Sequence, residues 1–424
     1  MIIIQDVNDN HSNFELKYKP RWIVSLLRKA TKESAVVVLT GARQVGKSTL
    51  LRHESPYTDW RYASLDDYDV LEQAERNPAA LWVGTQQIIL DEVQKAPKLL
   101  SAVKQAVDQK PSRIRFVLSG SANLLLMHRV SESLAGRALY LTLTPMTLGE
   151  ERERSTPSWL VRLLEGKLPE EASKVAEDPI PLMLRGFLPP LIRLQEAMSF
   201  VRWWEGYVAT YLERDLRQLS QVESLPDFRR VMEALALRSG QVLNQTEVTR
   251  DTAVSQPTIH RYLNLLETTC LLERVPAFAS SRTTRLIKSP KVYWLDPGLA
   301  SYLAGYHDID SLRSSREVGS IFECLILLHL KALAQLLTPR ARIYCWRTVI
   351  GREVDFVVEQ GRKILAIEAK LTTAPRYGDA ENLRKFLREY PEAKAGIIVH
   401  AGGDIKYLEE RIIALPWTYV AGAY

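Results

Sequence analysis

Cysteine is scarce in this chain. Cys270, Cys324 and Cys345 are odd in number and far apart within 424 residues. That excludes a disulfide framework and a cysteine-based zinc site. Long apolar runs are missing too, since no stretch reaches the roughly eighteen residues that a membrane-crossing helix needs. The opening, Met1-Ile2-Ile3-Ile4-Gln5-Asp6, lacks the basic start and extended apolar stretch of a secretory signal. There is no internal repeat, no low-complexity segment and no Asn-Lys-x-Asp string of the guanine-reading kind. These absences predict a cytoplasmic protein with no membrane partner. What remains is the composition of a globular protein, 46% hydrophobic and 25% charged. The length predicts about two to four domains. A net charge of +6 permits a polyanionic partner without demanding one.

The most informative string is Gly41-Ala42-Arg43-Gln44-Val45-Gly46-Lys47-Ser48-Thr49. It follows Ala35-Val36-Val37-Val38-Leu39-Thr40, an apolar, β-branched run that predicts a buried parallel strand. It precedes Leu50-Leu51-Arg52, which continues the first turn of a helix. Strand, G-x-x-x-x-G-K-S, helix is the pattern of a phosphate-binding P-loop. Residues 41–49 would wrap backbone N–H groups around a phosphate chain. Lys47 would reach the β- and γ-phosphates, and Ser48 would place its hydroxyl on Mg²⁺. The helix N-terminus adds favourable partial positive charge.

Ile88-Ile89-Leu90-Asp91-Glu92 is an apolar strand ending in carboxylates. Parallel sheets place ligands at the carboxyl ends of their strands. Asp91 would hold the Mg²⁺ hydration shell, and Glu92 would polarise the attacking water. Arg113–Ser121 predicts another buried strand, whose Ser119 and Ser121 either stand where a residue can sense the γ-phosphate or form an ordinary strand-end turn. Arg137, in Ser133-Leu134-Ala135-Gly136-Arg137, is either a finger completing a neighbour's site in a homo-oligomer or a surface ion-pair residue. A basic amphipathic helix over residues 15–34 precedes the P-loop strand, and a further strand is expected at 60–66 and a helix near 97–109.

Residues 151–178 are charged and proline-containing, and a helical region follows over about 192–240. Its Trp203, Trp204, Tyr207, Tyr211, Leu212 and Asp215 fit core packing better than a base-stacking surface. Residues 228–296 predict a winged helix, with helices near 228–239 and 245–252 and a third running from Gln256 through Glu267. In that third helix Ile259, Tyr262, Leu263 and Leu266 form one buried stripe. Gln256, Thr258, His260, Arg261 and Asn264 lie off it, as recognition-helix side chains do. Leu271–Val275 and Arg285-Leu286-Ile287-Lys288 are expected as the wing strands. From Arg274 to Lys291 there are five basic residues, Arg274, Arg282, Arg285, Lys288 and Lys291, and no acid, a basic edge suited to phosphates. The same module also serves elsewhere as a lid or protein contact, and both readings stay open here.

The C-terminal segment carries a second constellation. Gly319-Ser320-Ile321-Phe322-Glu323 opens a long apolar helix to about residue 337. Arg352–Val358 and Lys363–Lys370 read as paired strands around a turn at 359–362. Period two puts Glu353 and Asp355 on one face, and likewise Glu368 and Lys370. Asp355 and Glu368 would converge on one Mg²⁺, with Glu323 completing the site and Lys370 orienting a water or stabilising charge. A solvated polar face is the plainer alternative.

These motifs together resemble the prokaryotic AAA-type ATPases that carry a C-terminal domain of unknown function. The markers are G-A-R-Q-V-G-K-S-T at 41–49, L-D-E-V-Q at 90–94, S-G-S at 119–121, S-L-A-G-R at 133–137 and Y-L-E-R-D at 211–215. W-L-D-P-G-L at 294–299, G-S-I-F-E at 319–323, E-V-D-F-V at 353–357 and I-E-A-K at 367–370 follow in order. One departure is Arg185-Gly186-Phe187-Leu188-Pro189, where such proteins more often show Gly-Gly-Tyr/Phe-Pro. The resemblance implies a multidomain α/β protein: an AAA-like P-loop NTPase parallel sheet, then a winged helix, then a restriction-endonuclease-like α/β domain similar to PD-(D/E)XK nucleases. The expected divisions are 1–150, 151–227, 228–296 and 297–424. It implies ATP and Mg²⁺ as cofactors, Lys47, Ser48, Asp91 and Glu92 at the nucleotide, and Asp355, Glu368 and Lys370 as a nuclease-like triad. The leading expectation is an ATPase acting on DNA, contacted through Gln256, Thr258, His260, Arg261, Arg282, Arg285 and Lys288, with a C-terminal domain that touches or cuts it. The alternative is a nucleotide-dependent switch or scaffold that regulates a protein partner, its nuclease-like domain inactive.

Overall fold

The computed structural model describes residues 18–109, 114–120, 134–167, 169, 176–210 and 222–424. Ser121, Tyr211, Leu212, Asp215 and the side chain of Arg282 lie outside the described residues. Helix Val24–Glu33 leads into strand β1 (Val36–Thr40), all of whose residues are buried. β2 (Arg61–Ser64), β3 (Gln87–Asp91), β4 (Arg115–Ser119) and β5 (Ala138–Thr142) complete a parallel sheet in the order β2-β3-β4-β1-β5. Valine and isoleucine runs suit this sheet because helices cover its faces and both sides of each central strand are buried. β4 separates β1 from β3. The register sets Ser119 beside Leu39 and Leu118 beside Leu90, so the ends of β1, β4 and β3 form one rim.

Helix Ala197–Tyr207 carries the expected aromatic group into the core. Trp204 is fully buried, and Trp203 and Tyr207 stack with ring centroids 5.2 Å apart. A three-helix unit follows: Leu225–Ala236, Gln245–Thr252 and Gln256–Thr268. Ser255 caps the last of these by accepting from Thr258 N, and Ile259, Tyr262, Leu263 and Leu266 are buried as their spacing predicts. β6 (Leu272–Val275) then pairs antiparallel with β7 (Lys291–Trp294). The second hairpin strand is thus Lys291–Trp294, not Arg285–Lys288. The intervening residues Arg282–Ile287 form a short helix capped by Ser281, and Pro290 precedes the apolar run that buries as β7.

The C-terminal sheet comprises β8 (Arg342–Arg347), β9 (Glu353–Gln360), β10 (Lys363–Lys370), β11 (Ala395–His400), β12 (Lys406–Glu409) and β13 (Ile412–Pro416), in the order β12-β13-β11-β10-β9-β8. β9 and β10 turn at Gly361, whose φ of 62° suits glycine. Leu365 and Ile367 face the core shared with helix Val318–Ala334, while Ile364 and Ala366 pack with Leu383, Phe386 and Leu387 of helix Glu381–Glu389.

One hydrophobic cluster runs from Trp22 to Ala423 and crosses every expected division of the chain. Gly149 N donates to Ala421 O at 3.0 Å, and Trp159 Nε1 donates to Val420 O at 3.1 Å. A Cβ on Gly149 would lie 2.5 Å from Gly422 O and from Trp22, so only glycine fits. His329 joins the same regions. Its Nε2 accepts from Leu148 N at 3.1 Å, and Nδ1 faces Leu325 O at 2.7 Å. Burial pushes its pKa down to about 4. Among the described residues, no helix is long and apolar enough to cross a membrane.

Candidate nucleotide site and C-terminal acidic cluster

The Gly41–Ser48 loop leaves β1 with Gly41 at φ 147°, Gln44 at φ 64° and Gly46 at φ 94°. A Cβ on Gly41 would sit 2.3 Å from Leu143 O, so the loop can turn this tightly only with glycine. Val45 is buried beneath it, and Arg43 and Gln44 face outward. Lys47 opens helix Lys47–His53, with Ser48 half-buried and Thr49 exposed beside it. Lys47 Nζ donates to Gly41 O at 3.1 Å and to Ala42 O at 3.0 Å. Burial lowers its pKa, against the pull of Glu92 and Asp91.

Those acids stand across the rim. Asp91 is buried; its Oδ2 accepts from Tyr62 OH and its Oδ1 from Glu92 N at 3.0 Å. Glu92 has φ 55°, an uncommon conformation for a non-glycine residue, and accepts from Gln94 Nε2. Burial, and then Asp91, raise its pKa, which makes it a better proton acceptor near neutrality than a free glutamate. Ser119 is fully buried, and its Oγ has no hydrogen-bond partner among the described residues. A buried, unsatisfied hydroxyl between a P-loop and two carboxylates fits a site that awaits polar ligand atoms. Ser48 and Asp91 are the residues that would hold Mg²⁺.

Sequence reasoning missed the braces of this loop. Arg21 Nη1 donates to Val45 O at 2.9 Å and its Nη2 to Thr144 O at 2.7 Å, while its Nε pairs with Glu150 at 3.2 Å. A lone arginine ahead of the strand carries no periodic signal. The 185–189 segment lies here as well, since a Cβ on Gly46 would be 3.6 Å from Pro189. Phe187 N and Gly298 N both donate to buried Asp296, at 2.9 and 2.8 Å, tying this segment to helix Pro297–Leu303. Arg137 stands elsewhere. It precedes β5 at the amino ends of the strands, away from the P-loop of its own chain, and forms a two-pronged ion pair with Asp108.

The C-terminal constellation does assemble. Asp355 and Glu368 face each other on β9 and β10, one step beyond the Phe356–Ile367 pair. Lys370 Nζ lies 3.0 Å from Glu368 Oε1, and Asp355 Oδ2 accepts from Ala369 N at 2.9 Å. Glu323 reaches in from its helix and accepts from Tyr293 OH at 2.8 Å. Burial, then Asp355, raise the pKa of Glu323 well above the usual range and that of Glu368 to about 7. The unforeseen member is Lys291 of β7. Its Nζ lies 3.8 Å from Glu323, 3.6 Å from Glu353 and 3.6 Å from Asp355. Burial opposes its charge, but these carboxylates raise its pKa on balance. The residues as arranged do not fit a divalent ion, because an ammonium already stands among the carboxylates. Among the described residues, no group of three or more His, Cys, Asp or Glu side chains is set to hold a metal.

Of the expected nucleic-acid residues, Gln256 and His260 are exposed, Thr258 and Arg261 are half-buried, and Lys288 is exposed. Arg261 pairs with Glu223 at 3.0 Å, and Arg274 pairs with Glu267. Arg285 grips Glu359 with both nitrogens, at 2.9 and 3.2 Å, and lies over the Phe278 ring.

A parallel sheet with its P-loop after β1 and paired acids after β3 is the fold of a P-loop NTPase. Residues 33–151 match the AAA domain family. Residues 177–310 match a domain of unknown function, DUF8612, and residues 318–420 another, DUF4143. Two uncharacterized mycobacterial proteins, Rv2008c of Mycobacterium tuberculosis and Mb2031c of Mycobacterium bovis, are each 30% identical over 394 residues, or 92% of this chain and 82% of theirs. The chain belongs to their family. Among solved structures, the Thermotoga maritima RuvB Holliday junction branch migration motor is 17% identical, covering 60% of this chain and 89% of that one, with a TM-score of 0.29. A STAND protein from Pyrococcus horikoshii is 11% identical, covering 76% and 47%, with a TM-score of 0.26.

Proposed function

We propose that this protein binds ATP with Mg²⁺ at residues 41–49 and hydrolyses it, acting as a nucleotide-dependent switch. The observation that carries the reading is the meeting of Lys47, Asp91, Glu92 and the unpartnered Ser119 hydroxyl on one rim of the parallel sheet. Mg²⁺ neutralises phosphate charge when bound. Lys47 leaves its backbone carbonyls for the phosphates, Glu92 holds and polarises the attacking water, and Ser119 contacts the terminal phosphate. The test pairs binding with turnover. Lys47→Ala loses nucleotide binding, while Glu92→Gln binds ATP and loses turnover. Normal hydrolysis by Glu92→Gln would sink the mechanism.

A second reading, of the 225–294 unit as a winged helix on duplex DNA, is favoured by one observation. Gln256, His260 and Lys288 are exposed. Changing these residues together would abolish salt-dependent duplex binding; binding that survives the change would remove this reading. DNA cleavage is not part of the proposal, given the lysine among the C-terminal carboxylates.

A further inference from the structure

The Lys291 ammonium is buried, has no hydrogen-bond partner among the described residues and points into a group of carboxylates drawn from helix Val318–Ala334 and strand β9. It belongs to neither element. β7 delivers it from the three-helix unit, held in place by its pairing with Val275 and a bridge to Val242. Three further ties fasten this hairpin to the C-terminal sheet. Phe278 N donates to Cys345 O at 2.6 Å, Cys345 N donates to Pro276 O at 2.9 Å, and Arg285 grips Glu359. Three of the carboxylates also have other partners: Tyr293 holds Glu323, Ala369 N holds Asp355, and Lys370 with Asn382 holds Glu368 Oε1, while the buried Glu368 Oε2 has no hydrogen-bond partner among the described residues.

We infer that Lys291 is a built-in counter-cation: it takes the place of a divalent ion and locks the β6–β7 hairpin onto the acidic cluster of the C-terminal sheet. Lys291 Nζ stands within 3.8 Å of three carboxylates, two of which a divalent ion in the cluster would need as ligands, so the two cations compete for the same oxygens. The lysine lies outside the sheet it neutralises, so its charge joins the hairpin to that sheet. The inference is independent of ATP hydrolysis.

The test is Mn²⁺ uptake without nucleotide, followed by the electron paramagnetic resonance signal of the free ion. Wild type and Asp355→Asn are expected to take up equal amounts, because the cluster contributes nothing. Lys291→Met is expected to gain one ion, which Lys291→Met/Asp355→Asn lacks. An ion bound by wild type and lost in Asp355→Asn would overturn the inference, as would a folded Lys291→Met that gains none. If Lys291→Met does not fold, the wild-type and Asp355→Asn pair still decides: equal uptake upholds the lock, and unequal uptake ends it.

Discussion

Two buried lysines define the two ends of this molecule. Lys47 turns its ammonium to the backbone carbonyls of Gly41 and Ala42 and leaves Asp91 and Glu92 to other partners. Lys291 stands among the carboxylates themselves. Burial is the largest influence on both, yet the first has its pKa lowered and the second raised. The difference is between a charge held ready for an incoming anion and a charge already spent on its neighbours. Carboxylates and a lysine near strand ends do not make a metal site by themselves; what matters is whether the lysine's partner comes from outside or from within.

The largest expected effects come from exchanging these lysines for methionine. Lys291→Met leaves Glu323 and Asp355 buried without their cation and should lower stability by about 3–5 kcal/mol. Lys47→Met should leave the melting temperature nearly unchanged while weakening nucleotide binding at least about 100-fold, through loss of a charge-assisted phosphate contact. Equal melting losses in the two variants would erase the distinction.

The next effect concerns the joint between the two ends. His329 is neutral when folded, with a pKa of about 4 against the ordinary 6.5. Between those values the unfolded chain binds the extra proton, so this contribution is fully present above pH 6.5 and is lost as pH falls to 4. The loss is about 3 kcal/mol. His329→Gln should flatten the acid limb of a stability–pH curve, and an unchanged limb would acquit the histidine.

Smaller effects sharpen the nucleotide end. Ser119→Ala removes an unsatisfied buried hydroxyl and should leave stability unchanged or raise it by up to about 1 kcal/mol. Turnover should nevertheless fall about tenfold, a split that a purely structural serine would not produce. Arg137→Ala should cost within about 0.5 kcal/mol, since its pairing with Asp108 is solvent-exposed. If a neighbouring subunit uses Arg137, turnover in wild type rises with protein concentration and that rise disappears in Arg137→Ala.

The sequence was most legible where one residue type answers to one local demand. The P-loop glycines, the apolar runs of β1 and β3, Ser255 as a cap and the β9–β10 pairing all follow from patterns within a few residues. Arg285–Lys288 reads as a strand in the sequence, but its alternation is weak, and Arg285–Ile287 instead belongs to the helix Arg282–Ile287 that Ser281 caps. Lys291 and Arg21 were illegible as site residues for another reason. Their roles arise from contacts far away in the chain, to Glu323 for Lys291 and to Thr144 and Glu150 for Arg21, and no local pattern records such meetings. Lys291 did carry one faint signal: a basic residue at the head of the apolar run Val292-Tyr293-Trp294 needs an acid beside it if the strand buries it.

The hydrophobic cluster that runs unbroken from Trp22 to Ala423 has a thermodynamic consequence. Two smaller clusters line the other faces of the two sheets, but both sheets are anchored in this shared one, so they come apart together. Calorimetry should give a single transition, and ATP bound at the P-loop should raise the temperature at which the distant C-terminal sheet comes apart. Nucleotide occupancy is thereby legible at the far end of the molecule without any movement, as a shift in how firmly the whole is held.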